Sequence, residues 1–174
     1  SCFLKMKALK CILYLLFSGI ACFIIGLFLP RKWFHFDRFP YRAGKWEKDG
    51  KVYHTIHIKR WKGKLPDLSR ICPFMTPKKI VTATAGNIES LIQESCVAEL
   101  IHALLIPMGL GCIGIWKSGG AIFFLLWAIG NVPFILIQRY NRPALCRLYV
   151  KLKAKEANAS FNVRYSVESF NSKL

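Results

Sequence analysis

The strongest constraint on the fold is a run of 19 residues, 11–29, without a single charged side chain. As a helix with a rise of about 1.5 Å per residue, this run spans roughly 28 Å and matches the hydrocarbon core of a bilayer. Two further apolar runs, 97–116 and 121–138, are separated only by a short polar turn that begins at Lys117. They predict a transmembrane helical hairpin, with Pro107 and Pro133 inside its helices, where membrane proteins tolerate proline.

The composition agrees with a membrane protein that has basic segments in water. The 174 residues are 53% hydrophobic, yet 26 Lys and Arg stand against only 9 Asp and Glu, for a net charge of +17. A soluble domain this apolar needs surface charges of both signs. The high hydrophobic content of the chain also argues against disorder. We therefore predict a single membrane domain over residues 1–174 that is mainly α, with about three transmembrane helices and basic interfacial helices.

Basic segments flank the predicted spans. Residues 31–95 carry 14 Lys and Arg interleaved with aromatic side chains, a mixture typical of the headgroup layer. Within them, residues 51–58 alternate like a strand or form a short interfacial helix, which is preferred beside a membrane. Asn87 is predicted to cap a helix that begins near Ile88 and continues into the second span. After Pro143, apolar residues at helical spacing predict a basic amphipathic helix over about 143–156, lying on an anionic membrane face.

The charge asymmetry predicts the orientation in the membrane. With three spans, one side carries 4 Lys and Arg, and the other side carries 22. The positive-inside rule places the second side, with residues 31–95, in the cytoplasm of a multi-pass cell-membrane protein. The lysines before residue 11 also match a signal peptide, but the apolar run is longer than a usual signal core. A retained helix is therefore favoured.

Neither a metal nor a cofactor is expected. The seven cysteines contain no CxxC pair and fall mostly in apolar runs, where reduced cysteines act as small apolar residues. Glu99 and His102 form a single ExxH pair, whereas a di-iron bundle needs two such pairs and more carboxylates. His54 and His57 have the spacing of metal ligands, but no Cys or carboxylate pattern completes a site.

Polar residues inside the predicted hairpin mark the candidate site. Glu99 and His102 lie about 60° apart on one helix face, and ionisable groups within a membrane segment are functional by default. Counting outward from the turn near Ser118 places Glu99 level with Gln138, and His102 between Asn131 and Gln138. Five polar side chains therefore converge near the membrane face that carries the basic segments: Glu99, His102, Asn131, Gln138 and Arg142.

Two interpretations of this cluster remain open. As a catalytic or headgroup-binding site, neutral His102 is the general base, Glu99 holds its tautomer, and Arg139 and Arg142 hold a phosphate or carboxylate. As an interhelical polar clamp, Glu99 pairs with an arginine and His102 bonds a carbonyl.

Three segments of the chain contain distinctive motifs: residues 131–143 (NVPFILIQRYNRP in one-letter code), 94–102 (ESCVAELIH) and 61–67 (WKGKLPD). In this order, they resemble the NxPxxxxQRYNRP, EtxRAExxHW and WKxxLPD segments of the glycosyl-4,4'-diaponeurosporenoate acyltransferase family. The chain departs from the family pattern at three positions. Val97 and Ala144 each stand where the family has a basic residue, and Ala103 stands where it has Trp. Family members that resemble the staphylococcal enzyme acylate the sugar of a glycosylated carotenoid.

The resemblance implies a membrane acyltransferase that moves an acyl group from a thioester donor, acyl-CoA or acyl carrier protein, to a hydroxyl of a glycosylated carotenoid or related glycolipid. From the predicted placement, His102 deprotonates the hydroxyl, Glu99 orients His102, and Gln138 or Asn131 bonds the oxyanion. The remaining predicted substrate-binding residues are Arg139, Asn141, Arg142, Trp61 and Lys62. The expected partners are the donor, the glycolipid acceptor and the bilayer, with no nucleic acid. The alternative is a non-enzymatic membrane protein that binds anionic lipid or anchors a partner enzyme.

Overall fold

The computed structural model describes residues 2–64 and 84–171. These residues form five α-helices and three short 3-10 helices, and no strand occurs among them. The α-helices are α1 (Cys2–Phe28), α2 (Ile58–Trp61), α3 (Ala85–Met108), α4 (Gly111–Ile115) and α5 (Gly120–Asn171), and the 3-10 helices are Arg31–Trp33, Lys45–His54 and Lys62–Lys64. Three helical segments, Cys2–Phe28, Ala85–Ile115 and Gly120–Asn162, are long and apolar enough to cross a membrane. The predicted fold class is confirmed.

The second predicted span lies within the apolar helical segment Ala85–Ile115. Its helix is interrupted near the end, because α3 ends at Met108 and α4 begins at Gly111. At the break the backbone N–H of Leu110 bonds to the carbonyl of Pro107, three residues back and not four, so the helix tightens into a turn there. The chain then turns tightly into α5, where a Cβ on Gly120 would collide with the backbone carbonyl of Cys112.

The third span is longer than predicted. α5 runs without a break through Pro133 and Pro143, so the basic segment over 143–156 continues this helix and is not a separate one. Contacts beyond Pro143 hold the extension beside the first turns of α3. Tyr149 donates a hydrogen bond to Glu89 (3.3 Å), and the Glu156 carboxylate accepts one from the backbone N–H of Ala85 (2.9 Å).

The predicted cap of α3 is wrong by three residues. Thr84 caps the helix, its side chain accepting a hydrogen bond from the backbone N–H of Asn87 at 3.3 Å. Asn87 therefore lies inside the first turn, where its N–H is one of the donors that need a cap. The helical preference for residues 51–58 is confirmed by the 3-10 helix Lys45–His54 and by α2. Residues 65–67, the end of the WKxxLPD segment, lie outside the described residues.

α3 and α5 form the antiparallel hairpin, and α1 packs beside it. Tyr14 of α1 donates a hydrogen bond to the carbonyl of Met108 (2.8 Å), and Cys11 and Cys112 are fully buried in the same cluster. Farther along α1, Gly26 permits a close approach, because a Cβ there would lie 3.1 Å from Ile101. The segment 31–64 covers the end of this bundle and carries several of the groups that complete the site.

Candidate active site

The register of the hairpin agrees with the count from the turn. His102 and Phe134, each 16 residues from Ser118, stack with ring centroids 4.6 Å apart and planes inclined by 7°. His102 Nδ1 also lies 2.8 Å from Asn131 Oδ1. The predicted placement of His102 beside the Asn131 side of the third span is therefore confirmed.

The Asn131 amide defines the tautomer of His102. Its Nδ2 donates to the carbonyl of Trp127 at 2.9 Å, so its Oδ1 is the atom that faces the imidazole. An amide oxygen only accepts hydrogen bonds, so Nδ1 of His102 carries the hydrogen. In the neutral imidazole the lone pair then belongs to Nε2, as a general base requires.

Glu99 joins the two hairpin helices through two arginines. Arg139 Nε donates to Glu99 Oε1 at 2.8 Å, and Arg142 Nη2 lies 2.6 Å from Glu99 Oε2. Arg142 is 3% exposed and also donates to the Ser95 side chain (2.8 Å) and to the carbonyl of Tyr41 (2.9 Å). The guanidinium of Arg142 is thus bound by protein groups, as in the clamp interpretation.

Glu47, in the segment 31–64, extends this cluster of ion pairs beyond the hairpin. Its buried carboxylate accepts hydrogen bonds from Arg139 Nη1 (2.7 Å), the Tyr53 hydroxyl (2.6 Å) and the backbone N–H of Gly44 (2.8 Å). Burial by itself raises the pKa of Glu47, but the bonds from Tyr53, Arg139 and Gly44 outweigh it and hold the pKa below its ordinary value. Burial and the neighbouring Glu47 carboxylate raise the pKa of Tyr53. Glu47 is therefore an anion and Tyr53 a neutral donor at neutral pH.

An apolar cavity of about 750 Å³ lies between α1, α3 and α5. Most of its wall is aliphatic or aromatic, including Leu15 and Phe23 of α1, and His102 and Asn131 supply polar groups to it. Near its polar end, Arg31 forms a two-point ion pair with Glu94, at 2.7 and 3.1 Å. This combination, an apolar wall with a few placed polar groups, is typical of a site for an amphipathic ligand.

A second cavity, of about 600 Å³, lies beside the ion-pair cluster of Glu47, Glu99, Arg139 and Arg142. Arg139 and Arg142 border it from α5, and Glu47 borders it from the polar segment. Arg139 and Arg142 in the wall of this cavity bind Glu99, which lies a single helical turn from His102 in the wall of the first cavity.

The remaining predicted site residues take different positions. Lys62 donates to the Asn141 side chain at 3.1 Å and lies over the Tyr140 ring, 4.7 Å from its centroid. Trp61 donates its indole N–H to the nearby carbonyl of Ile56 (2.9 Å). Gln138 is buried beside Arg139 and lines neither of the two cavities. Lys62 therefore contacts the QRYNRP segment, whereas the only hydrogen bond described for Trp61 stabilises the turn before α2.

Three site residues escaped the sequence analysis. Glu47 is one of six acidic residues among 31–95, and no periodic pattern separates it from the solvated ones. Tyr53 was part of an alternating stretch, and Ser95 is a small residue at the start of an apolar run. The only available signal was general: acidic residues in so basic a segment are candidate partners for arginines near the membrane, but this applies equally to all six.

Comparison with known proteins identifies the family. Residues 30–151 match the family model for glycosyl-4,4'-diaponeurosporenoate acyltransferase. The chain belongs to this family. The protein of that name from Staphylococcus aureus strain Newman is 30% identical over 157 residues, covering 85% of this chain and 91% of the relative. The protein from strain bovine RF122 / ET3-1 is 29% identical with the same coverage. No solved structure gives a significant match.

Membership of the glycosyl-4,4'-diaponeurosporenoate acyltransferase family establishes the class of enzyme. The protein is an acyltransferase, which favours the catalytic hypothesis over a non-enzymatic anchor. The matched region includes α3, the first part of α5 and the polar segment between α1 and α3, and so it includes every residue of the ion-pair cluster.

Proposed function

We propose that this acyltransferase moves an acyl group from a thioester donor to a sugar hydroxyl of a glycosylated lipid, with His102 as general base. The observation that carries the proposal is the His102 ring itself. Asn131 fixes its Nδ1–H tautomer, Phe134 stacks on it, and it lines an apolar cavity large enough for part of a lipid. The relatives' name, in which the acceptor is a glycosylated diaponeurosporenoate, supports a glycosyl-carotenoid as the acceptor.

The reaction would proceed by direct transfer. His102 Nε2 takes the proton of the acceptor hydroxyl while the hydroxyl oxygen attacks the thioester carbonyl carbon. The carbon–sulfur bond of the resulting tetrahedral intermediate then breaks, and the sulfur leaves as a thiol with the proton from the imidazolium. An ester and a free thiol are formed, without an acyl-enzyme. Cys96 is fully buried, which supports this direct route over a cysteine nucleophile.

The polar groups near His102 would have separate roles. Asn131 is a positioning residue, since both ends of its amide are already bonded to Trp127 and His102. Glu99 would act through the helices, by holding Arg139 and Arg142 against α3. Gln138 as a donor to the oxyanion stays a prediction.

The acceptor would lie in the apolar cavity with its sugar toward the membrane surface. In the wall of this cavity, the Glu94 carboxylate of the Arg31–Glu94 pair can accept hydrogen bonds from sugar hydroxyls. The donor is water-soluble, and a cytoplasmic orientation of the basic segments would give it access from the compartment where acyl thioesters are made. The basic excess of residues 31–95 supports this orientation through the positive-inside rule.

The decisive experiment removes the imidazole. His102→Ala should lower kcat by about 10²–10⁴-fold, the usual contribution of a general base. Acyl transfer from a long-chain acyl-CoA to glycosyl-4,4'-diaponeurosporenoate is measured with purified protein in detergent. His35→Ala is the matched control, because His35 is exposed and lines neither of the two cavities. A folded His102→Ala protein with near-normal turnover would remove His102 from the chemistry.

A further inference from the structure

The 600 Å³ cavity beside the ion-pair cluster is strongly basic. Its wall includes six basic and two acidic side chains, an excess of four positive charges. The basic residues are Arg42, Lys45, Lys48, Arg139, Arg142 and Arg147, and the acidic residues are Asp37 and Glu47. Like charges repel one another in a shared cavity, so an excess of this size favours an anionic ligand.

The cations of this wall form an inner and an outer group. The inner Arg139 and Arg142 are bound to Glu99 and other protein groups, as described above. The outer group, Arg42, Lys45, Lys48 and Arg147, is exposed, and no ion pair joins these four to any side chain within the described part of the chain. Their donors remain available to a ligand from the aqueous side.

The backbone holds one outer cation in an unusual conformation. Lys48 has a φ of 47°, a left-handed conformation that is strained for a residue with a side chain. Two residues later, Gly50 has a φ of 86°, and a Cβ there would lie 3.2 Å from the Tyr140 carbonyl. The turn is therefore packed tightly against α5, and this contact keeps Lys48 at the cavity wall.

We propose that this cavity binds the phosphate groups of a nucleotide thioester of the CoA class, and that it is the donor site of the enzyme. The proposal rests on the proposed acyl transfer. Its volume is in the range of cavities that hold small molecules, so it can accommodate a nucleotide. With the phosphates on the outer cations, the thioester arm extends past the ion-pair cluster toward His102 and the acceptor cavity.

The test compares two donors that differ in their nucleotide. Long-chain acyl-CoA carries the phosphates, whereas the same acyl group on pantetheine lacks the nucleotide. Each of Arg42→Gln, Lys48→Gln and Arg147→Gln should lower the ratio of kcat/KM for acyl-CoA to kcat/KM for acyl-pantetheine by about tenfold, the loss of one charge-assisted hydrogen bond. Lys51→Gln and Lys59→Gln are matched controls, since both lysines are exposed in the same segment but lie outside the cavity wall.

A binding measurement separates this inference from the proposed reaction. Free CoA is titrated calorimetrically into the full-length protein in detergent, and binding should weaken in the three cavity variants and at high salt. An unaltered ratio and unaltered CoA binding in those variants would overturn the donor site, even if the protein transfers acyl groups from pantetheine. Transfer from an acyl carrier protein alone, with no CoA binding, would also overturn it. Binding of CoA without transfer to any glycolipid would instead reject the proposed function.

Discussion

The pairing of Glu99 with two arginines predicts a large and specific loss of stability when its carboxylate is removed. In Glu99→Met, Arg142 keeps a positive charge at a position that is 3% exposed, with no carboxylate beside it. Removing one partner of a buried ion pair costs about 3–5 kcal/mol, because the other charge stays buried without compensation. For a chain of this length, each kcal/mol lowers Tm by about 2–4 °C, so Tm should fall by roughly 6–20 °C.

A double-mutant cycle tests the cause of that loss. In Glu99→Met/Arg142→Met both charges are absent, and an apolar pair of similar size in place of a buried ion pair is often neutral. The double variant should therefore be more stable than Glu99→Met alone, with a coupling of about 2 kcal/mol or more. The assay is thermal unfolding of detergent-purified protein, compared with an Arg142→Met single variant.

The chain contains a matched control for this cycle. Arg31 and Glu94 have the same ion-pair chemistry, but their side chains are 26% and 24% exposed. Removing Glu94 should cost about 1 kcal/mol or less, the value for a pair that water still screens. Equal losses in Glu99→Met and Glu94→Met, or strict additivity in the cycle, would refute the burial argument.

Three further predictions concern orientation, pH and the turn. Single cysteines are placed at Lys64 or Lys117 in a protein without its native cysteines, and intact cells are treated with an impermeant thiol reagent. The cysteine at 117 should be labelled and the one at 64 protected. The reverse pattern contradicts the cytoplasmic placement. The lowered pKa of Glu47 adds stability above the ordinary carboxyl range, and this contribution is lost as pH falls through the lowered pKa. Tm should thus fall on acidification more steeply in the natural protein than in Glu47→Gln, and parallel curves would contradict it. Gly120→Ala should destabilise the protein by about 1–3 kcal/mol, because the added Cβ collides with the Cys112 carbonyl. Gly114→Ala is the control, since nothing lies within 4 Å of a Cβ there. Similar Tm values for the two variants would contradict the close packing of the turn.

The hairpin register was predictable because depth in a membrane helix increases linearly with residue number. The rise per residue is constant, so counting from one turn was enough to place His102 beside Asn131. The same linearity does not apply to residues 31–64, which form short helices and turns. The contact of Glu47 with Arg139 joins positions 92 residues apart, and neither composition nor spacing encodes such a contact.

Helix ends were less predictable than helix interiors. Thr84 and Asn87 are both suitable caps, and the choice between them depends on where the N-terminal turn of α3 packs. Pro143 was expected to begin a new helix, but the bonds from Arg139 and Arg142 hold the preceding turn and permit the helix to continue.

The contacts between α3 and α5 form a ladder along nearly the whole length of the shorter helix. From the turn outward its rungs are Trp127 to Leu105, Asn131 to His102, Arg139 to Glu99, Tyr149 to Glu89 and Glu156 to Ala85. One residue inserted into α5 would rotate everything beyond it by about 100° and move it by about 1.5 Å. Substitutions can therefore remove these rungs one at a time, whereas an insertion or deletion within α5 removes every rung on its far side at once. The length of α5 up to its last contact is therefore constrained more strongly than any single side chain in it.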